Sequence, residues 1–430
     1  MSQVQTPHDE DQVRQVITKV REVGASLETR GSGTKAGVGR PAQHAATLST
    51  LGLRGITLYE PTELVISARA GTPLSTIETE LAKHNQHLAF EPVNFGSVAR
   101  PARPGEPTDE PTIGGIVATN ASGSRRVFAG AARDHVLGLR AVNGRGEIFK
   151  TGGRVMKNVT GYDLCKAMTG TWGTLSVLTE VTLKVLPQAE ETATLLVANL
   201  PDEMANEVLC SAMALPYEVS GAVHLQQASA SRLIDWAGAP DALSGLNGGA
   251  ITALRIENVS SSVAYRLAQL QQRFSAFGEV TTLDTPASLA FWRAIRDFRF
   301  VGKAATPSSA NAAKGDGNGA LWRISTAPSV GHRVVRMISE FMAVEATYDW
   351  SGGLIWLEVP EIADAGAADI RRVVATIGGH ATLIRAAPAV RAAVEVFQPL
   401  EAGLMRLSRA LKSAYDPDAV LNPGRMYADV

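Results

Sequence analysis

The chain has 430 residues, 45% hydrophobic and 19% charged, with 41 basic against 42 acidic side chains and a formal net charge of -1. This length can build more than one domain with a sizeable core. The composition excludes a disordered chain, and the charge balance argues against a nucleic-acid binder, which is usually basic.

The first residues, MSQVQTPHDEDQ, have neither the basic nor the apolar region of a secretory signal. No uninterrupted apolar run reaches the roughly 18 residues of a membrane span. Residues 10–22 then place Val13, Val16, Ile17 and Val20 at helical spacing. Gly31-Ser-Gly33-Thr-Lys-Ala36 matches the loose dinucleotide fingerprint. The following AGVGRPAQ will not start a helix, so a Rossmann turn is not expected. A glycine-rich turn can still bind phosphate through its own backbone N–H groups, and a plain surface turn is the alternative. Residues 64–71, LVISARAG, read as a short strand. Thr72 is expected to cap a helix with Pro73 at its first position and Leu74, Ile77 and Leu81 facing one way. His84 and His87, at its far end, read as surface residues.

Residues 112–130, TIGGIVATNASGSRRVFAG, are nearly all small, apolar or neutral as far as Gly123. Glycine lets backbone lie flat against a ligand. Asn120 and Ser122 can bond phosphates or a polar ring edge. A large planar, phosphorylated cofactor suits this loop better than a small substrate, and the alternative is a packing turn beneath a sheet. Residues 136–152 read as a hairpin turning at Asn143-Gly144, and residues 175–187 as a further strand ending in proline.

From residue 188 the pattern becomes strand, helix, strand, strand, helix, strand, and it recurs from Leu321. Two ferredoxin-like βαββαβ units are expected to form one antiparallel sheet with helices on one face. The expected division is 1–188, a cap at 189–390, and a C-terminal helix and tail at 391–430 returning to the first domain. Leu404, Leu407 and Leu411 make one face of that helix. Between the repeats, Lys314-Gly-Asp316-Gly-Asn318 lacks flanking histidines and reads as a loop, with no metal site expected. Cys165 and Cys210 are the only cysteines and form no CxxC pair. They fit a reducing, cytoplasmic compartment and cannot by themselves ligate an iron–sulfur cluster.

Several segments stand in a telling order. They are Thr112-Ile-Gly-Gly-Ile, Asn120-Ala-Ser-Gly, Arg133-Asp134-His-Val, Val142-Asn-Gly-Arg, Lys157-Asn158 with Gly161-Tyr-Asp, and Gly170-Thr-Trp-Gly173-Thr174-Leu175 before Leu178. This series resembles the FAD-binding domain of the vanillyl-alcohol oxidase / p-cresol methylhydroxylase class. The resemblance implies an α+β fold with a two-part FAD-binding domain of the PCMH type beneath an antiparallel-sheet cap. In that class an Arg-Gly-x-Gly-Thr turn cradles the pyrophosphate, which here is Arg30, Gly31, Ser32, Gly33 and Thr34. Thr112, Gly114, Gly115, Asn120, Ser122, Gly123, Arg133 and Asp134 would line more of FAD. So would Gly170, Gly173, Thr174 and Leu178, with Asn422 and Arg425 near the isoalloxazine. Relatives with covalent flavin carry a histidine in the turn or a cysteine near the ring. Here the turn runs Thr34-Lys35, so FAD is expected to be non-covalent.

Leu321-Trp322-Arg323, Trp350-Ser-Gly-Gly353, Gly379-His380-Ala-Thr-Leu and Leu421-Asn-Pro-Gly-Arg-Met further resemble the E-subunit family of bacterial glycolate oxidase, with 98–110 and 305–318 as insertions. That family implies a complex with a larger metal-dependent FAD subunit and an iron–sulfur subunit, acting on a small 2-hydroxy acid. Any attachment to the inner membrane would be made through those partners. Oxidising a 2-hydroxy acid needs a base for the hydroxyl proton and a cation for the carboxylate. Arg323, His380 and Arg425 are the candidates. Two other readings stay open: an FAD-bearing scaffold or electron relay whose metal-bearing partner performs the oxidation, and a stand-alone 2-hydroxy-acid dehydrogenase.

Overall fold

The computed structural model describes residues 3–99, 110–154, 161–246, 248–302, 319–428 and 430. Lys157-Asn158, the Gly-Asp-Gly-Asn segment ending at Asn318 and most of both insertions lie outside the described residues. The chain divides into two compact units, one of residues 1–122, 130–188 and 399–430, the other of 123–129 and 189–398.

The first unit opens with β1 (Gln3–Gln5), β2 (Leu27–Arg30) and β3 (Ala46–Ser49), a parallel sheet in the order β1-β3-β2. Next come β4 (Ile56–Glu60), β5 (Val65–Arg69), the short β6 (Gln86–His87), β7 (Val136–Asn143), β8 (Ile148–Gly152), β9 (Ser176–Lys184) and the short β10 (Leu186–Pro187). Five of these form an antiparallel sheet, β4-β5-β9-β7-β8, and β6 pairs with β10. The helix Glu10–Glu22 is capped by Asp9, whose carboxylate accepts from Gln12 N at 2.8 Å. Its buried Val13 and Ile17 join Leu27, Leu48, Val142 and Val177 in one core. Val420 and Leu421 complete that core, so the chain's last turn belongs to this unit.

Two local expectations change here. Thr72 does not cap the helix Leu74–Ala82. Its buried hydroxyl donates to Arg69 O at 2.6 Å and accepts from Gly55 N at 3.0 Å, which closes a turn instead. On the helix Ala402–Tyr415, Leu404 and Leu407 are 54% and 57% exposed. A buried polar group holds that helix: the Lys412 ammonium donates to Asp416 Oδ2, Thr174 O and Leu421 O at 2.7–2.9 Å.

The second unit contributes β11 (Glu191–Ala198), β12 (Gly221–Leu225), β13 (Ile251–Asn258), β14 (Val280–Leu283), β15 (Ala320–Ser325), β16 (Glu345–Asp349), β17 (Leu354–Val359) and β18 (His380–Arg385). All pair antiparallel in one sheet, β14-β11-β13-β12-β16-β17-β15-β18. Each half has the ferredoxin-like order, and β12 joins β16 at the seam. Alternate residues Ala193, Leu195 and Val197 face the helices Asp202–Ala214 and Ser260–Phe274.

The other face of the sheet is also covered, contrary to the expectation of helices on one face. The helix Thr285–Arg296, which belongs to neither repeat, lies there: Trp292 Nε1 donates to Thr194 Oγ1 at 3.0 Å, and that hydroxyl donates in turn to Ser288 Oγ at 2.9 Å. Arg255, the register partner of Thr194, stacks over the Trp292 indole at 4.4 Å. A sheet this long has two sides to bury, and the repeat pattern speaks for only one of them.

Candidate functional site

The first unit contains an open cleft with about 690 Å³ of empty space, counted out into its solvent-filled mouth. Its walls are the turn from Glu28 to Ala36, Thr50, Ala70, part of the helix Ile113–Thr119 with its cap Thr112, Trp172-Gly173, Ser176 to Leu178, and Arg425. Absent side chains let these segments meet. A Cβ on Gly31 would stand 2.2 Å from Thr112 Oγ1, and one on Gly114 would stand 2.6 Å from Ala70 Cβ and 2.8 Å from its carbonyl oxygen. Gly115 differs from both. Its Cβ would meet Thr112 Oγ1 at 3.2 Å and Lys35 Nζ at 3.9 Å and would otherwise project into open space. So Gly31 and Gly114 serve packing, and Gly115 presents bare backbone beside Lys35.

Lys35 dominates the electrostatics of this cleft. It is 7% exposed, and its ammonium makes no hydrogen bond or ion pair with a described residue. The Phe95 ring lies 5.8 Å from it. Burial, followed by the positive field of Arg425, brings its pKa down to about 7. Arg425 donates to Lys35 O at 3.2 Å and lies over the Trp172 indole at 5.5 Å. A desolvated cation without an anion is costly, so the cleft is arranged for a negatively charged ligand. Glu28 also lines it and sits 3.5 Å from Arg30. No histidine or cysteine stands among the described lining residues. The small walls and converging cations fit a phosphate-bearing cofactor.

The sequence-derived candidates fall into three groups. Arg30, Gly31, Ser32, Gly33, Thr34, Thr112, Gly114, Gly115, Gly173, Leu178 and Arg425 line the cleft. Others hold loops together: Asn120 Oδ1 accepts from Arg133 N at 3.0 Å, Ser122 Oγ from Ala132 N at 2.9 Å, and Asp134 Oδ2 from Ala131 N at 2.9 Å. Thr174 and Gly170 likewise bond within their turn and to the helix before it, Thr174 Oγ1 to Thr171 O at 2.8 Å and Gly170 N to Val117 O at 3.1 Å. Asn422, fully buried, donates to Thr29 Oγ1 at 2.7 Å and Trp172 O at 3.0 Å and accepts from Thr29 N at 2.9 Å. It ties two walls of the cleft to the C-terminal tail. The third group, Gly123, Arg323 and His380, belongs to the second unit.

There, register sets the geometry. β15 pairs with β18 so that Ser325 faces His380 and Arg323 faces Thr382, which puts Arg323 and His380 on one face of the sheet. The Arg323 guanidinium lies over the Trp350 indole at 5.0 Å. Burial and the neighbouring Arg126 lower its pKa to about 10, against an opposing pull from Asp349. Desolvation and the fields of Arg323, Arg126 and Arg371 lower that of His380. These effects favour the neutral form of His380, which can accept a proton.

Residues 1–99 and 101–152 match a family model described as FAD binding domain. The chain is also 34% identical over 420 residues to glycolate oxidase subunit GlcE of Escherichia coli (strain K12), covering 98% of this chain and 97% of that protein. The chain belongs to the GlcE family. A shorter similarity, 31% over 186 residues, is to D-lactate dehydrogenase of Archaeoglobus fulgidus, covering 43% of this chain and 39% of that protein. The structure of p-cresol methylhydroxylase with substrate bound superposes with a TM-score of 0.67 at 13% identity, over 99% of this chain and 88% of that one. The fold is thus of the PCMH type, and the cofactor of this GlcE-family chain is FAD. No helix among the described residues is long and apolar enough to cross a membrane.

In this GlcE-family member the cleft also takes in Lys35, Thr50, Ala70 and Thr119, which no sequence motif marks as its lining. Lys35 had a signal, a cation directly after a phosphate-type turn. Thr50 and Ala70 had none, since only the folded chain brings them to the turn.

Proposed function

We propose that this chain is the FAD-bearing subunit of a complex that oxidises a small 2-hydroxy acid such as glycolate, with FAD held non-covalently. The observation that carries the reading is the cleft, where bare backbone at Gly115 lies beside a buried ammonium that has no anion among the described residues. It stands in a chain similar to GlcE from end to end. The backbone of Gly31 to Thr34, with Lys35 and Arg425, would hold the pyrophosphate, while Gly115, Trp172 and Leu178 line the remaining length. Bound FAD supplies a two-electron acceptor that can release electrons singly. In the second unit, Arg323 offers a cation for the substrate carboxylate and neutral His380 a base for the hydroxyl proton. A lining without histidine or cysteine supports non-covalent binding. With two cysteines the chain cannot ligate an iron–sulfur cluster alone, which supports an iron–sulfur protein as the electron outlet and a larger, metal-bearing flavoprotein as the other subunit.

Acid precipitation of the yellow chain should leave its colour in the supernatant, whereas colour retained in the pellet would overturn non-covalent binding. Purification from the native host should recover both partners, and the isolated chain should turn over glycolate slowly. A monomer with full turnover and no partner would replace this reading with a stand-alone dehydrogenase. If the loaded chain's flavin does not bleach with glycolate while the complex turns over, the chain is the relay and its partner the oxidising subunit.

A further inference from the structure

The arginine pair at 125 and 126 and the Trp350-Ser-Gly-Gly353 segment are not part of the cleft, and both lie in the second unit. Consecutive side chains of the loop have different fates. Ser124 Oγ donates to Asp349 Oδ2 at 2.8 Å. Arg125 grips Glu257 through two hydrogen bonds at 2.9 and 2.5 Å, with both side chains nearly buried. The Arg126 guanidinium lies over the Trp350 indole, 4.3 Å from its centroid. The indole is fixed in turn, because Trp350 Nε1 donates to Gly123 O at 3.0 Å.

Arg323 approaches the same indole at 5.0 Å. Two guanidiniums are thereby held over one ring despite their mutual repulsion. Arg323 forms no hydrogen bond or ion pair with a described residue, although a guanidinium carries five donors. Asp349, the acidic group nearest by its effect on Arg323, already accepts from Ser124 and from Trp350 N. The corner is strained: Trp350 and Ser351 both have left-handed backbone, φ 51° and 61°, followed by Gly352 at 94°. The hydroxyls of Thr347 and Ser351 are buried without a partner among the described residues. Thr347 stands in the register row Thr347–Trp356–Arg323 on the same face of the sheet. Arg126 and Arg323 are half-buried and His380 is exposed, so solvent reaches the group.

We propose that Arg126 and Arg323, held over Trp350, form a binding site for a small carboxylate. Planar guanidiniums match a carboxylate in shape and, unlike lysine, stay charged when partly desolvated. That the ligand is a carboxylate follows from the arginine pair. That it is a 2-hydroxy acid, with His380 at the hydroxyl, rests on the functional reading above.

Calorimetric titration of the full, FAD-loaded chain with oxalate tests the site. Binding should be saturable and weaken as salt is raised. Arg126→Met and Arg323→Met should each weaken it by at least about tenfold, and Arg126→Lys by less, with flavin absorbance per chain unchanged. Arg336→Met, on an exposed helix position, should leave oxalate binding unchanged. No saturable binding by the wild-type chain, or affinity within twofold of wild type in Arg126→Met, would overturn the site, and the second result holds even if Arg323→Met fails to fold. A chain that binds oxalate but no FAD would retain this site and sink the flavin reading.

Discussion

Lys35 in the first unit is buried and Arg323 in the second is half-buried, and neither cation has an ion pair with a described residue, yet they behave differently. Burial brings Lys35 down to about 7, into the range where a cell's pH decides its charge. Arg323 falls only to about 10 and stays charged. The cleft is therefore an anion site coupled to a proton, and the arginine corner is one that is not. The two sites are also built differently. Glycines let backbone surround the cleft, and Lys35 rises from the turn itself. The corner depends on side chains anchored by a nearly buried ion pair.

The largest effect that tests this contrast is Gly115→Val. The branched side chain would fill the space beside Lys35, so FAD content should fall to near zero in a folded chain, while Gly114→Ala should lower stability by about 1–3 kcal/mol through collision with Ala70. Stoichiometric flavin in folded Gly115→Val would show that backbone exposure there is not what the cleft uses.

Next comes Arg125→Met. Although burial alone would raise the pKa of Glu257, Arg255 and Arg125 hold it well below the usual carboxylate range. Removing Arg125 should cost about 3 kcal/mol in urea unfolding above pH 4.5, with the difference shrinking as acid protonates Glu257. A loss under 1 kcal/mol, on the order of a surface ion pair, would mean the loop is not anchored there.

Lys35 should give a smaller effect, spread over pH. In the FAD-free chain its folded pKa lies below the ordinary 10.5, so the unfolded chain binds more protons between about 7 and 10.5. Stability should rise with pH across that window, by up to about 1.4 kcal/mol per unit from this group, and Lys35→Met should remove the rise. FAD affinity should move the other way and weaken by up to about tenfold per unit above pH 7, because phosphate favours the charged lysine. Oxalate binding at the arginine corner should show no such slope from its arginines between pH 7 and 9. Parallel pH profiles for the two ligands would break the comparison.

The smallest effect belongs to Leu404→Gln. With 54% of the residue exposed, it should shift unfolding by less than about 0.5 kcal/mol. A larger loss would place that leucine in a core.

Much of the local structure was readable because its causes are local. The period of Val13 and Ile17, the Asn-Gly hairpin turn and the repeated strand–helix order each depend on residues a few positions apart. The helix Thr285–Arg296 has the local start signals Asp284 and Pro286, but it stands outside the repeated strand–helix pattern. The turn from Arg30 to Thr34 and the loop at Gly115 were also visible in sequence, as short-range patterns with a known chemistry.

What the sequence could not disclose are matters of environment. Gly114 and Gly115 both line the cleft, and it is Ala70, more than forty residues earlier in the chain, that leaves no room for a side chain at the first of them. Thr72 could have capped a helix as well as closed a turn, and Gly55 decided it. The leucines of the last helix form an apolar face by period, and the packing of Lys412 turned that face outward. Lys35 is an ordinary lysine until burial removes its water and the positive field of Arg425 acts on it. Arg125 and Arg126 are adjacent and identical, and only Glu257 and Trp350, each more than a hundred residues away, make one an anchor and the other a cation over a ring. Propensity and turn chemistry act along the chain and determined the elements. Desolvation and charge act through space, so only the folded chain could determine the chemistry of the sites.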